Sequence, residues 1–174
     1  IRDSASFKKL VCEVQPDFVF HLAAQALVRN AYQNPIDTIT SNAVGSINIL
    51  DALRYLDKSV VTVMITSDKV YDNVEWVWGY RETDRLGGQD PYSASKGMAE
   101  IAIRTYVMSY FNDPASNVRV GVARAGNVIG GGDWANDRIV VDCMKSWSKK
   151  KRVDIRNPKA TRPWQHVLEP LSGY

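Results

Sequence analysis

Two short segments hold the residues most able to do chemistry, Thr66-Ser67-Asp68-Lys69 and Tyr92-Ser93-Ala94-Ser95-Lys96. Between them they offer a phenol, a carboxyl, a hydroxyl and two ammonium groups. Tyr92 and Lys96 are four residues apart, which on a helix puts them on one face, and a nearby ammonium favours a phenolate over a phenol. A group whose ordinary pKa is about 10 is thereby moved toward base duty at neutral pH. The spacing alone carries little weight, because chance supplies about 0.5 Tyr-x-x-x-Lys pairs in a chain of this composition. An ordinary exposed pair on a helix is the alternative reading, and the Ser67-Asp68-Lys69 segment tips the balance away from it.

The elements that must position these groups follow from hydrophobic periodicity. Val60 to Ile65 is an apolar, β-branched run that predicts a strand ending at Thr66. In open α/β sheets, ligands bind beyond the carboxyl ends of such strands. Pro91 suits the first turn of a helix carrying Tyr92, with Met98, Ile101, Ala102, Thr105, Val107 and Met108 as its apolar stripe. Ser4 to Val14 predicts another helix, Asp17 to Leu22 a buried strand, and Asn34-Pro35 the start of a long helix with Ile36, Ile39, Ala43, Ile47, Leu50 and Leu53 on its apolar face. Val118 to Ala123 predicts a third strand, Asp137 to Trp147 a helix and Val153 to Ile155 a short strand. Residues 71–90, rich in Trp, Gly and charge and without a period, are expected to form a loop over the site. This alternation implies an α/β fold, a doubly wound parallel sheet with right-handed crossovers over residues 1–125, and a second lobe beginning at residues 126–174.

The chain has 174 residues, 45% hydrophobic and 24% charged, the composition and length of about one globular domain. A net charge of +3 gives no large field for nucleic acid, and the basic run Lys149-Lys150-Lys151-Arg152 reads as a solvated helix end. Cys12 and Cys143 stand alone, without a Cys-x-x-Cys, so neither a metal site nor a disulfide framework is indicated and a reducing, cytoplasmic setting is expected. No apolar run approaches the ~20 residues that span a bilayer, so no membrane partner is expected.

Taken in order, these segments resemble the extended short-chain dehydrogenase/reductase family over essentially the whole chain. His21-Leu22-Ala23-Ala24-Gln25 resembles the loop that runs beside the cofactor, Asn42 the active-site asparagine of the following helix, and Tyr92 with Lys96 the catalytic pair. Arg124-Ala125-Gly126-Asn127 is similar to an Arg-x-x-Asn segment whose asparagine contacts the sugar-nucleotide phosphates. Ile1-Arg2-Asp3 resembles the loop after the third strand, which implies that Asp3 borders the cofactor and that the chain starts partway through the dinucleotide fold, without its first βαβ unit. The resemblance therefore implies NAD beside Asp3, Ala23, Ala24, Gln25, Asn42, Tyr92 and Lys96, a nucleotide diphosphate at Asn127 and Arg162, and a homodimer built on the helices that begin at Asn34 and Pro91. The Gly-rich turn that cradles the pyrophosphate in that family is not among these residues, so the 174 residues by themselves are expected to bind NAD weakly.

Within the family, Ser67-Asp68-Lys69 is similar to the trio of nucleotide-sugar 4,6-dehydratases, and lysine in third place resembles the branch acting on CDP-glucose. What that implies is a base, Tyr92, for the C4 hydroxyl, with Ser67 bonded to the same oxygen and Lys96 on the cofactor ribose. Asp68 would protonate the leaving C6 hydroxyl and Lys69 would take the C5 proton, provided that burial or a neighbouring cation holds the lysine neutral. A loop salt bridge is the alternative for Asp68 and Lys69. A nucleotide-sugar 4-epimerase, another 4,6-dehydratase and a non-catalytic dinucleotide-binding module are the competing functions.

Overall fold

Three parallel strands, β1 (Phe18–His21), β2 (Val60–Ile65) and β3 (Val118–Ala123), lie side by side in that order in the computed structural model, which describes residues 1–174. Phe18 is in register with Val61 and His21 with Met64, while Val60 pairs with Val118 and Ile65 with Ala123. The three carboxyl ends therefore finish level, at His21, Ile65 and Ala123. This sheet belongs to a Rossmann-like unit spanning Ile1–Ala125, and a second unit spans Gly126–Tyr174.

In the first unit, α1 (Ser4–Val14) begins at Asp3, whose carboxylate accepts from Ser6 N at 3.0 Å and from Ser6 Oγ at 2.6 Å. After β1 come α2 (Val28–Gln33) and a continuous rod built of α3 (Pro35–Ile39), a π-turn at Thr40–Val44 and α4 (Gly45–Leu53). The expected long helix is thus present, but the wide turn rotates its lower half. Ala43, Leu50 and Leu53 are buried as expected, but Ile36 ends up exposed and Ile47 only half-buried, and Asn42, Ser46 and Ile49 join the inward face. After β2, a single 3₁₀ turn at Asp68–Val70 precedes an irregular stretch, and α5 (Pro91–Tyr106) runs on into a second π-turn, Val107–Phe111.

Val11, Ile49, Leu50, Leu53, Val60, Met64, Ile103, Phe111 and Val118 form the core, so α1, α4 and α5 pack on one side of the sheet. On its other side Phe18, Phe20, Val61 and Val122 are exposed. β1 therefore alternates where a fully buried strand was expected. The stripe read on α5 is also corrected: Met98, Ile101, Thr105 and Met108 lie outside, and Tyr92, Ser95, Lys96, Ala99, Glu100 and Ile103 form the buried face. Periodicity found the helix, but polar residues with tertiary partners took the inner face.

The second unit holds β4 (Asn127–Ile129) and β5 (Trp164–His166), paired in parallel, with α6 (Ile139–Ser148) and α7 (Leu168–Gly173). Val153 to Ile155 is not a strand; the strand that pairs with β4 comes nine residues later. Val153-Asp154-Ile155 has the β-branched signature, yet three residues hold no strand without a partner edge.

Candidate active site

β2 ends at Ile65, and Thr66 to Lys69 lead from the strand into the 3₁₀ turn. Thr66 N still donates to Ala123 O at 2.9 Å, and Asp68 N donates to Ala125 O at 3.1 Å, so the backbone follows β3 outward. Ser67 Oγ then accepts from Lys69 N at 3.2 Å and caps the 3₁₀ turn, and it also lies 3.1 Å from Asp68 Oδ1. Ser67 is buried, and Asp68 and Lys69 are half-buried at the mouth. The three side chains thus project from one turn directly after a strand's carboxyl end.

Tyr92 and Lys96 come from the first turns of α5. Asp90 caps that helix, accepting from Tyr92 N at 2.9 Å and Ser93 N at 3.0 Å on one oxygen and from Ser93 Oγ at 2.6 Å on the other. Close approach of the preceding loop needs glycine twice. Gly88 has φ +147°, and a Cβ on Gly97 would stand 2.7 Å from Gly87 O. Tyr92 is 8% and Lys96 7% exposed. Lys96 Nζ donates to Ile65 O at 3.3 Å, which ties α5 to the end of β2, and burial lowers its pKa to about 8. One of the ammonium's three donors is used in that bond, leaving two for a ligand's hydroxyls. A buried cation with spare donors at the strand ends fits a ribose diol.

A chain of buried hydrogen bonds stands behind the tyrosine. Asn42, on the π-turn, donates through Nδ2 to Ser95 Oγ at 2.8 Å and to Gln25 O at 3.0 Å, and its Oδ1 accepts from Gln25 N at 2.8 Å. Ser95 Oγ donates to Tyr92 O at 2.7 Å. Gln25 in turn donates to Thr38 Oγ1 at 2.9 Å and accepts from Leu27 N at 2.6 Å, which holds the loop Leu22–Gln25 over the end of β1. Ala23 and Ala24 lie in that loop and offer a surface without side-chain bulk. His21 Nε2 lies 3.2 Å from Ser46 Oγ, and burial first, then the Lys96 charge, lowers the imidazole to about 4.

The structure therefore brings Ser67, Asp68, Lys69, Tyr92, Lys96, Asn42 and Ala23 to Gln25 to one edge of one sheet. Asp3, exposed at the start of α1, caps that helix with one bond on each carboxylate oxygen. In the second unit Asn127 opens β4, opposite Trp164, and its N donates to Pro163 O at 2.9 Å. Arg162 stands two residues before Trp164, is exposed, and donates to Thr161 O at 2.6 Å. The pairing of β4 with β5 sets these two residues at the same end of the two-stranded sheet. No group of three or more His, Cys, Asp or Glu side chains is placed to hold a metal ion, and no helix is long and apolar enough to cross a membrane.

Sequence reasoning missed Glu100. It is 6% exposed on the same face of α5 as Tyr92 and Lys96, and it forms a bidentate ion pair with Arg124 at the end of β3. A carboxylate at the third step of an i, i+4, i+8 series on the chemical face was the available signal.

A sequence model of the family described as GDP-mannose 4,6-dehydratase matches residues 1–173. The chain is 51% identical over its whole length to the CDP-glucose 4,6-dehydratase of Salmonella typhimurium and covers 49% of that protein. Among solved structures, the DesIV dTDP-glucose 4,6-dehydratase double mutant of Streptomyces venezuelae, with NAD and DAU bound, superposes with a TM-score of 0.85 at 19% identity, over 99% of this chain and 50% of the other. RMD from Pseudomonas aeruginosa, complexed with NADPH, superposes with a TM-score of 0.81 at 28% identity, over 99% of this chain and 59% of the other. The chain spans about half the length of the relatives it matches.

Proposed function

The chain belongs to the GDP-mannose 4,6-dehydratase family, and from that premise we propose that the full-length protein removes water from a nucleotide-linked glucose, CDP-glucose, to give the 4-keto-6-deoxy sugar. The observation that carries this reading is the meeting of an acid/base turn, Ser67–Lys69, with a buried Tyr92–Lys96 pair at the carboxyl end of one strand. A hydride-transfer site needs only the second; elimination needs both.

Tyr92 takes the proton of the C4 hydroxyl as C4 is oxidised, with Ser67 Oγ bonded to the same oxygen. The ketone formed at C4 acidifies the C5 proton, which Lys69 removes. Asp68 gives a proton to the C6 hydroxyl, which leaves as water, and C5 is reprotonated once C6 has been reduced. Lys96 would hold the ribose of NAD, with the Ala23–Gln25 loop and Asn42 beside it, and the bound nicotinamide would supply the acceptor for the C4 hydride and its donor to C6, without net consumption. Asn127 and Arg162 of the second unit are assigned to the substrate diphosphate, a guanidinium being suited to paired phosphate oxygens. This assignment makes Gly126–Tyr174 the start of a nucleotide-sugar-binding lobe.

The exposed apolar side chains Met98 and Ile101 of α5 and Met108 of the π-turn after it, with Ile36 at the start of α3, support a homodimer. Sedimentation of the full-length protein tests this, with Ile101→Glu expected to shift it toward monomer. The two cysteines are unpaired, which suits a reducing cytoplasm.

The deciding experiment incubates the full-length protein and NAD with CDP-glucose, and separately with UDP-, dTDP- and GDP-hexoses. Formation of a 4-keto-6-deoxy product from the CDP sugar supports the reading. A product that keeps its C6 hydroxyl and is inverted at C4 makes the protein an epimerase. No conversion with any of the four leaves a binding module.

A further inference from the structure

Glu100 is a buried carboxylate to which the reaction assigns nothing. Its Oε1 accepts from Thr66 Oγ1 at 2.6 Å and from Arg124 Nε at 2.6 Å, and its Oε2 accepts from Arg124 Nη2. Arg124 Nη1 donates to Tyr71 OH at 2.9 Å and to Glu82 O at 3.1 Å, and the guanidinium lies 4.8 Å from the Tyr71 ring centroid. One carboxylate thus joins the residue before the acid/base turn to the residue after β3, and through Arg124 reaches Tyr71 and Glu82 in the loop that follows the turn.

Two features make this more than packing. Burying a carboxylate and a guanidinium together is expensive, and apolar residues of similar volume fill such a space with no loss of stability. The carboxylate also stands two helical turns from Tyr92 and one from Lys96 on a single rigid helix, so whatever it holds is held relative to them. What it holds is Thr66, the residue before the Ser67-capped 3₁₀ turn, whose other ties are Lys69 N on Ser67 Oγ at 3.2 Å, Val70 N on Ser67 O at 3.3 Å and Asp68 N on Ala125 O at 3.1 Å, so that Glu100 links this segment to α5.

We propose that Glu100 is a positioning residue that, paired with Arg124 and acting through the Thr66 hydroxyl, sets the Ser67–Lys69 turn against the Tyr92–Lys96 face. The inference rests on the dehydratase reading of that site. Its consequence is selective. Proton removal at the C4 hydroxyl depends on Tyr92, which is secured from the opposite side by Ser95 and Asn42, and loses only the supporting Ser67 hydrogen bond when the turn shifts; elimination depends wholly on Asp68 and Lys69, which Glu100 secures.

The test uses the full-length protein with NAD and CDP-glucose and compares wild type with Thr66→Val, Thr66→Ser and Glu100→Gln. Thr66→Val keeps shape and removes the donor to Glu100 while leaving the ion pair, so it folds even if Glu100→Gln does not. Thr66→Val is expected to lower kcat about tenfold with KM within about threefold, and Glu100→Gln to lower kcat about a hundredfold. In both, the near-ultraviolet absorbance of reduced nicotinamide should build up during turnover, because C4 oxidation outruns elimination. Thr66→Ser, which keeps the hydroxyl, should restore kcat and abolish the build-up. Wild-type kcat in Thr66→Val, or a lowered kcat without reduced nicotinamide and without rescue by Thr66→Ser, overturns the inference. Should the wild type itself form no keto sugar from any of the four nucleotide sugars, the dehydratase reading falls and takes this inference with it.

Discussion

The helix side of the site and the turn side are built in opposite ways. Tyr92 and Lys96 are buried on a sixteen-residue helix, capped by Asp90 and braced by Ser95, Asn42 and Gln25. Asp68 and Lys69 are half-buried on a three-residue turn, within which Ser67 accepts from Lys69 N through Oγ and from Val70 N through its carbonyl. The contrast follows the chemistry assigned to each. A phenol that must serve as a base needs a fixed setting beside a cation that offsets its burial, whereas groups that trade protons with a leaving hydroxyl need access to it. Rigidity is inherent to the helix and is lent to the turn from outside.

Removing a group from the rigid side should hurt most. Tyr92→Phe is expected to lower kcat for dehydration by ~10³-fold or more while the melting temperature stays within a few degrees of wild type. If the phenylalanine variant keeps about a tenth of the activity, the helix side is not where the base resides. On the turn side, Asp68→Asn and Lys69→Ala should each lower dehydration by about 10²-fold and still allow C4 oxidation, read as reduced nicotinamide in single turnovers. Equal loss of both half-reactions would erase the distinction between the two sides.

Asn42→Ala addresses the brace. It leaves Gln25 N and Ser95 Oγ without their partner in a buried setting, and a loss of ~2 kcal/mol in denaturant unfolding is expected. An unchanged midpoint would mean that the brace contributes nothing to the rigid side. The smallest effect concerns His21, which packs behind Lys96. Burial, aided by that ammonium, lowers the folded imidazole to about 4 from 6.5. An unfolded chain takes up this proton near 6.5 and the folded chain only near 4, so the contribution to stability is present above pH 6.5 and lost as pH falls through that window. His21→Asn should flatten the acid side of the stability curve by ~1 kcal/mol, measured by melts between neutrality and about pH 5.5.

Much of the fold was legible because strands and helices announce themselves by period. Val60 to Ile65, Val118 to Ala123 and Ser4 to Val14 have the same bounds in the sequence reading and in the structure. Which side of a helix faces inward was harder to read. The apolar side chains Met98, Ile101 and Met108 identify α5 as amphipathic, yet its buried face is the one carrying Ser95, Lys96 and Glu100. Hydrophobic pattern assumes that polar side chains prefer water, and here each polar side chain is met by a partner from another element. Strand β5 was missed for a related reason: Trp164-Gln165-His166 has little β character, and the open edge of Asn127–Ile129 makes it a strand.

The sequence by itself determined the chemical inventory of the site and its order along the chain. Ser67, Asp68, Lys69, Tyr92 and Lys96 fall next to a strand end and a helix start, positions written in local residue pattern and turn chemistry. Only the tertiary structure decided how those groups are held: that Asn42 reaches Ser95 across 53 residues, and that Glu100 reaches Thr66 across 34 and Arg124 across 24. A hydrogen bond between distant residues leaves no trace in local periodicity, because its geometry exists only once three strand ends have been brought level and a helix laid across them.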